Sequence, residues 1–388
     1  MRILQVVKIN RGATWAFDQA KWLHENGVEV ITVMPSDTEG MAQKYRNQGM
    51  RVVQGDWSLP LSRPWLFYSR ARQIRRAVRE LSPDLIHMHF VTNVYMMRLA
   101  LRQDATPRLF QVPGPLHLEG KLFNFLDRHT ATRHDYWAGA CRKTCSIYCK
   151  EGVDTNRVFL AYYGSPVNRP DAGARVGAAF REQYGVAADE ILVAMVSYFY
   201  KPKRYLGQKR GLKGHEDFID AMQIAVRKNP KLRPLVVGNA WVGAEGYEAE
   251  VRRYAREKLG DRIIFTGFRD DVPQIYPQID IAVHPSHSEN LGGAAESLAL
   301  CVPTIATNIG GFPDIVIDRQ TGLLVPMKAP GALADAILQM AADREEARRM
   351  AAEGKKLVNE MLAIEVTSRR IQTIYETILS KESSEPQP

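Results

Sequence analysis

A chain of 388 residues, 45% hydrophobic and 24% charged, is longer than one hydrophobic core usually supports and has an ordinary globular make-up, so two domains are expected. No apolar run approaches the roughly 20 residues of a membrane-spanning helix. The start, Met1-Arg-Ile-Leu-Gln-Val-Val-Lys8, is interrupted too early for a signal peptide, and a cytoplasmic protein is predicted. The 52 Lys and Arg against 43 Asp and Glu, a formal +9, call for an anionic partner. No nucleic-acid module or aromatic-laced basic stripe is present, so nucleic acid is not expected. A diphosphate donor, a phospholipid surface or a lipid-linked diphosphate acceptor remain.

Taken in order, the first half alternates strand-like runs at 3–7, 28–33, 51–53, 84–87, 108–112 and 136–140 with helical stretches such as 14–25 and 66–81. That rhythm of βαβ units predicts a parallel sheet covered on both faces. The loop after the first run holds a lone Gly12, without the further glycines of a dinucleotide fingerprint and with no acid ending the next strand. This counts against an oxidoreductase. Residues 63–79 carry six Arg and no acid. Phe67, Ala71, Ile74, Val78 and Leu81 would line one helix face, with Arg72, Arg75, Arg76 and Arg79 away from it. Two readings stand: a packed helix with a basic solvent face, and docking on anionic lipid with Trp57, Trp65 and Tyr68 at the interface. Cys141, Cys145 and Cys149 share helical spacing but lack a fourth ligand and any C-x2-C pair, so they are expected to be packing thiols.

Residues 165–173, Ser-Pro-Val-Asn-Arg-Pro-Asp-Ala-Gly, are expected to form a linker. The alternation then restarts at 191–196, 235–238, 262–266, 279–283, 304–307 and 322–325. Two doubly wound domains with a cleft between them follow, with ligands at the carboxyl ends of the strands. Ile364, Ile371, Ile374, Tyr375 and Ile378 mark a last amphipathic helix, and the final residues are expected to be a disordered tail.

Two stretches of the second half carry chemistry. After the run 191–196, Lys201, Lys203, Arg204, Lys209, Arg210 and Lys213 lie in one loop with no acid among them. Such a loop at a strand end could neutralise a diphosphate leaving group, although most of the six could equally be solvated. Later comes His284-Pro-Ser-His-Ser-Glu-Asn-Leu-Gly-Gly-Ala-Ala-Glu-Ser-Leu-Ala-Leu-Cys-Val-Pro303. A buried strand leads into a loop with Glu289, and small residues Gly292 and Gly293 then open a helix carrying Glu296. A glycine-led helix start lets an anion approach free backbone N–H groups, where the helix dipole favours negative charge. Two carboxylates beside such a site suit hydroxyl groups attached to the phosphate, as in a nucleotide sugar. No Asp-x-Asp ends a strand, so neither a metal nor another cofactor is expected.

This segment, continued by Thr304-Ile-Ala-Thr-Asn-Ile-Gly-Gly311 and Thr321-Gly-Leu-Leu-Val-Pro326, resembles the signature of the family 4 retaining glycosyltransferases of GT-B fold over about forty residues. Two departures stand out: six residues rather than seven separate Glu289 from Glu296, and Tyr198 occupies the place of a family Arg. The resemblance implies two Rossmann-like domains facing across a cleft. Residues 1–168 would bind the acceptor, with helix 363–381 packing back on them. Residues 174–360 would bind the nucleotide sugar, and 382–388 would be the tail. It also implies site roles. Glu296 would take ribose hydroxyls and Glu289 the hexose hydroxyls; Phe268 and Arg269 would lie at the base. Asn290 and Leu291, in the loop that leads into the helix tip, would also bind the nucleotide sugar. Lys213, in Lys213-Gly214-His215, would hold the diphosphate with Gly292, Gly293 and a second cation, Arg210 first and Lys203 or Arg204 next. Gly12 would face the donor phosphates or form a plain turn. His117, in Gln111-Val-Pro-Gly-Pro-Leu-His-Leu-Glu119, would contact the transferred sugar, where His87, His89, His129, His284 and His287 lack comparable context.

The implied reaction moves a hexose from a nucleoside diphosphate, uridine before guanosine, to a sugar hydroxyl of a lipid-linked or surface-polysaccharide acceptor. A non-catalytic nucleotide-sugar-binding protein of the same fold is the alternative. A peripheral place on the inner face of the membrane would follow from the arginine stretch.

Overall fold

A computed structural model describes residues 1–164, 180–204 and 207–384. The linker expected at 165–173 lies outside the described residues, as do residues 385–388. The chain divides into two compact units, one formed by Met1–Pro166 with Met361–Pro388 and the other by Val167–Glu360.

The first unit is a seven-stranded sheet of order β3-β2-β1-β4-β5-β6-β7, with every pair parallel. Its strands are β1 (Arg2–Val6), β2 (Glu29–Met34), β3 (Arg51–Gln54), β4 (Leu85–Met88), β5 (Arg108–Val112), β6 (Asp135–Gly139) and β7 (Val158–Leu160). Most are short runs buried on both faces, as parallel strands covered by helices must be. Helices Thr14–Glu25, Met41–Asn47 and Ile364–Ser384 pack on one face, and Phe67–Leu81, Val91–Ala100 and Arg142–Lys150 on the other.

Two expectations need correction here. The strand β7 has no counterpart among the six runs predicted for this half; its residues are only half-buried and carry no clear pattern. The expected tail at 382–388 is helical through Ser384, because Glu382 has partners. Its carboxylate accepts from the Tyr136 hydroxyl at 2.9 Å and lies 2.7 Å from His134 Nδ1. The same helix buries Ile371, Ile374, Tyr375 and Ile378 in this unit, with the Tyr375 hydroxyl 2.6 Å from His87 Nδ1.

The second unit is a six-stranded parallel sheet of order β10-β9-β8-β11-β12-β13. It is built from β8 (Ile191–Val196), β9 (Leu232–Val237), β10 (Ile264–Gly267), β11 (Ile281–His284), β12 (Thr304–Thr307) and β13 (Leu323–Val325). In this sheet β8 is flanked by β9 on one side and β11 on the other. The chain therefore winds away in both directions from β8, and the crevice outside the carboxyl ends of β8 and β11 is where such sheets bind ligands.

Candidate functional site

A cavity of about 270 Å³ opens at that switch point. It is lined by Val196 at the end of β8, Ser197, Tyr198 and Tyr200 after it, Gly238 after β9, Phe268 and Arg269 after β10, and His284, Ser286 and Glu289 at and after β11. Lys213, Gly293, Glu296 and Phe312 complete the wall.

Close backbone packing brings the parts together. Gly214 has φ +74°, and a Cβ there would lie 2.1 Å from Pro285 O. Only glycine lets the start of helix His215–Lys228 seat on the loop after β11. In the same place His287 N donates to Leu212 O at 2.8 Å. Lys213 is thereby held at the cavity, where Nζ pairs with Glu289 and stands 5.7 Å from the Tyr200 ring centre. Burial pushes the Tyr200 hydroxyl up to about 12, with the Glu289 charge adding to it.

Helix Gly292–Ala299 begins without a side-chain cap, leaving its first N–H groups for an anion. Glu289 sits at that tip: its Oε1 accepts from Asn290 N at 3.2 Å, and a Cβ on Gly292 would come within 2.8 Å of its carboxyl carbon. A Cβ on Gly293 would meet the His284 ring at 2.9 Å. His284 is buried and held low, at about 3, by desolvation and then by Lys213, so the ring is neutral beneath the tip. Its Nε2 lies 3.0 Å from Ser297 Oγ. A site of this make-up, with one ammonium, free backbone donors, two carboxylates and aromatic walls, can hold an anion flanked by hydroxyl-bearing groups.

Of the residues predicted from the sequence, Lys213, Phe268, Arg269, Glu289, Gly293 and Glu296 line this cavity. Asn290, Leu291 and Gly292 lie next to it in the chain without forming its wall; Leu291 is buried, and Asn290 Oδ1 is enclosed with no hydrogen-bond partner among the described residues. Arg210 is not brought to the cavity. It is off the wall, donating to Asp217 and, at 2.7 Å, to Asp220 Oδ2, both on helix His215–Lys228. Those two carboxylates outcompete an open cavity for the guanidinium. The alternatives Lys203 and Arg204 do not line the cavity either; its second cationic side chain is Arg269, which also binds Asp271.

Gly12 and His117 belong to the first unit. Gly12 has φ +75° and open space around its Cβ position. His117 Nε2 is 3.1 Å from Asp127 Oδ2 and 3.3 Å from the Tyr148 hydroxyl. This ties it to a buried network in which Arg98 and Arg108 meet Asp127 and Asp135. Ser197, Tyr200, His284 and Ser286 also line the cavity, beyond the residues expected from the sequence. Their position directly at the carboxyl ends of β8 and β11 was the signal available. Among the described residues no cluster of three or more His, Cys, Asp or Glu side chains could hold a metal ion, and no helix is long and apolar enough to cross a membrane.

With this geometry established, similarity to known proteins adds to it. The family described as Glycosyl transferases group 1 matches residues 204–357, and Glycosyltransferase Family 4 matches residues 12–164. The lipopolysaccharide core biosynthesis mannosyltransferase LpsB of Rhizobium meliloti (strain 1021) is 30% identical over 177 residues, 45% of this chain and 50% of that protein. A GDP-mannose-dependent alpha-(1-6)-phosphatidylinositol monomannoside mannosyltransferase of Mycobacterium tuberculosis (strain ATCC 25618 / H37Rv) is 28% identical over 248 residues, 60% of this chain and 56% of that one. The chain spans about half the length of the curated relatives it matches. Among solved structures, Anabaena HepE in complex with UDP has a TM-score of 0.79 at 18% identity, covering 97% of this chain and 100% of that one, a likeness of fold.

Proposed function

The chain belongs to the family 4 glycosyltransferases of GT-B fold, its first half matching Glycosyltransferase Family 4 and its second Glycosyl transferases group 1, and on that premise we propose that it transfers a hexose from a nucleoside diphosphate sugar with retention of configuration. The second unit would hold the donor, and the first a glycan acceptor, lipid-linked or part of a surface polysaccharide. The observation that carries this reading is the pairing of Lys213 with Glu289 at the uncapped tip of helix Gly292–Ala299. A diphosphate entering there exchanges Glu289 for phosphate oxygens on Lys213. The freed carboxylate then turns to sugar hydroxyls, while Glu296 takes the ribose and Phe268 offers an exposed ring to the base. Chemistry is leaving-group stabilisation by Lys213 and backbone N–H groups. The departing phosphate oxygen takes the acceptor's proton on the face where the new bond forms, and no metal or cofactor takes part.

Uridine is the base we propose, in line with the UDP held by the Anabaena protein. Guanosine is the rival, favoured by the GDP-mannose-dependent mycobacterial relative. A thermal-shift panel decides: UDP-hexoses are expected to raise the melting temperature most, since about 100-fold excess over Kd adds about 2.7 kcal/mol. A larger shift with GDP-mannose replaces uridine by guanosine; no shift with any nucleotide sugar ends the proposal. Slow donor hydrolysis by the purified protein separates an enzyme from a binding protein.

We place the protein at the cytoplasmic face of an anionic membrane, through the arginines of helix Phe67–Leu81. Truncating Arg72, Arg75 and Arg76 together to alanine is expected to weaken vesicle co-sedimentation, most at low salt. Unchanged co-sedimentation removes this surface from the account.

A further inference from the structure

Helix Lys121–His129 is turned inside out. Its sequence, Lys-Leu-Phe-Asn-Phe-Leu-Asp-Arg-His, places Leu122, Phe125 and Leu126 at the i, i+3, i+4 spacing that normally faces a core. The structure instead buries Asn124 and Asp127, and leaves Leu122 65%, Phe125 50% and Phe123 37% exposed. The cause is polar demand inside. Asp127 answers the buried Arg98, Asn124 Nδ2 donates to Leu118 O at 3.1 Å, and the Tyr95 hydroxyl donates to Phe123 O at 2.8 Å. Rolling the helix to hide its apolar stripe would strip a fully buried guanidinium of its carboxylate, which costs more than the exposed side chains do.

The neighbouring surface supplies the second observation. Helix Val91–Ala100 packs between this helix and Phe67–Leu81. On the latter, Tyr68, Arg72, Arg75 and Arg79 recur at i, i+4, i+7 and i+11, one exposed stripe. Arg72, Arg75 and Arg79 make no salt bridge among the described residues, and Arg75 and Arg79 join Arg102 around a cavity of about 360 Å³ whose lining holds three arginines against one carboxylate, Asp104. Just before this helix Trp65 is 71% exposed. An apolar helix face, with a net basic stripe and exposed aromatics one helix away, matches the charge and polarity profile of an anionic bilayer surface. A nine-residue helix, about 13 Å long, is too short to span and suited to lie in the interface. A self-complementary contact between two copies would set this basic surface against itself.

We propose that helix Lys121–His129 is a bilayer-inserting element, with Leu122, Phe123 and Phe125 entering the acyl region while Arg75, Arg79 and Arg102 hold lipid phosphates. This rests on the membrane reading above and is independent of the donor site, which lies in the other unit. The test is sedimentation of the full chain with vesicles of phosphatidylcholine alone or mixed with phosphatidylglycerol, over a salt series. The parent is expected to stay on anionic vesicles at about 0.5 M salt, where charges more than a few ångström apart are screened. Replacing Leu122, Phe123 and Phe125 by Asn should leave only salt-labile binding and lower the partition coefficient about 100-fold. Equal salt-resistant binding of parent and variant overturns the proposal. So does a parent that ignores vesicles and sediments as a dimer which the variant dissolves, since the face then belongs to a second copy. Donor hydrolysis and nucleotide thermal shifts should be unchanged in the variant, so failure here is told apart from failure of the transferase reading.

Discussion

Lys213→Ala is expected to lower sugar transfer by about 10²–10³-fold, the scale of losing one preorganised charge contact to a leaving group. Lys213 is the sole ammonium on the wall of the second unit's cavity among the described residues, fixed by Glu289, by the Tyr200 ring, and by the backbone seating of Gly214 on Pro285. The loss should fall on kcat together with kcat/KM, because the charge on the departing diphosphate grows as the bond to the sugar breaks. Fold stability should change much less. The truncated site leaves Glu289 at a helix N-terminus, where the dipole still favours its charge. Glu289→Gln provides the complementary measurement. It frees Lys213 for phosphate, so nucleoside diphosphate alone should bind at least as tightly, while the sugar-bearing donor loses a hydroxyl partner. If Lys213→Ala and the parent transfer sugar at the same rate, the diphosphate assignment is wrong.

What the sequence made legible follows from what each feature depends on. Parallel strands buried on both faces are written in local composition: Ile-Leu-Val-Ala-Met-Val at β8 and Ile-Ala-Val-His at β11 stand out without knowledge of their neighbours. The Gly292-Gly293 helix start, Glu289, Glu296 and Lys213 were visible too, because glycine geometry and spacing to a strand end are local. Partner choice was not. Six basic residues in one loop look alike in sequence, and only the fold shows that Asp217 and Asp220 claim Arg210. Lys213 and Glu289 are 76 residues apart, and their pairing depends on how two loops pack. The edge strand β7 failed for another reason: three half-buried residues lack the burial that produces a pattern. Helix Lys121–His129 is the sharpest case, since local amphipathicity points the wrong face inward. A guanidinium 29 residues earlier sets its rotation.

That guanidinium sits in a fully buried ion-pair network, and Asp127→Ala is expected to cost the first unit about 3–5 kcal/mol. Arg98, Arg108, Asp127 and Asp135 have fully buried side chains. Arg98 Nη1 reaches Asp127 Oδ1 at 2.6 Å, and both arginines reach Asp135 Oδ1, at 3.1 and 3.0 Å. Removing Asp127 leaves two guanidinium groups against one carboxylate, and takes a partner from His117 and Tyr148. The double replacement Arg98→Met with Asp127→Leu should be milder than Asp127→Ala, because it removes the charges as a pair and fills the space. Acid should imitate the single variant. Burial pushes Asp127 up, but Arg98 and the hydrogen bonds from His117 and Tyr148 more than offset it, holding the carboxyl well below its usual range. Asp135 is likewise depressed by Arg98 and Arg108 against its burial. Groups with lowered folded pKa values contribute fully above the unfolded carboxylate value of about 4, and that contribution fades as pH falls through and below it. Urea midpoints of the full chain should therefore be steady at neutral pH and drop below about pH 4, less steeply in the double variant. The nucleotide thermal shift, arising in the other unit, serves as the control for intact binding. If Asp127→Ala unfolds at the parent's urea midpoint, the buried network contributes nothing to stability, and its hold on the inverted helix falls with it.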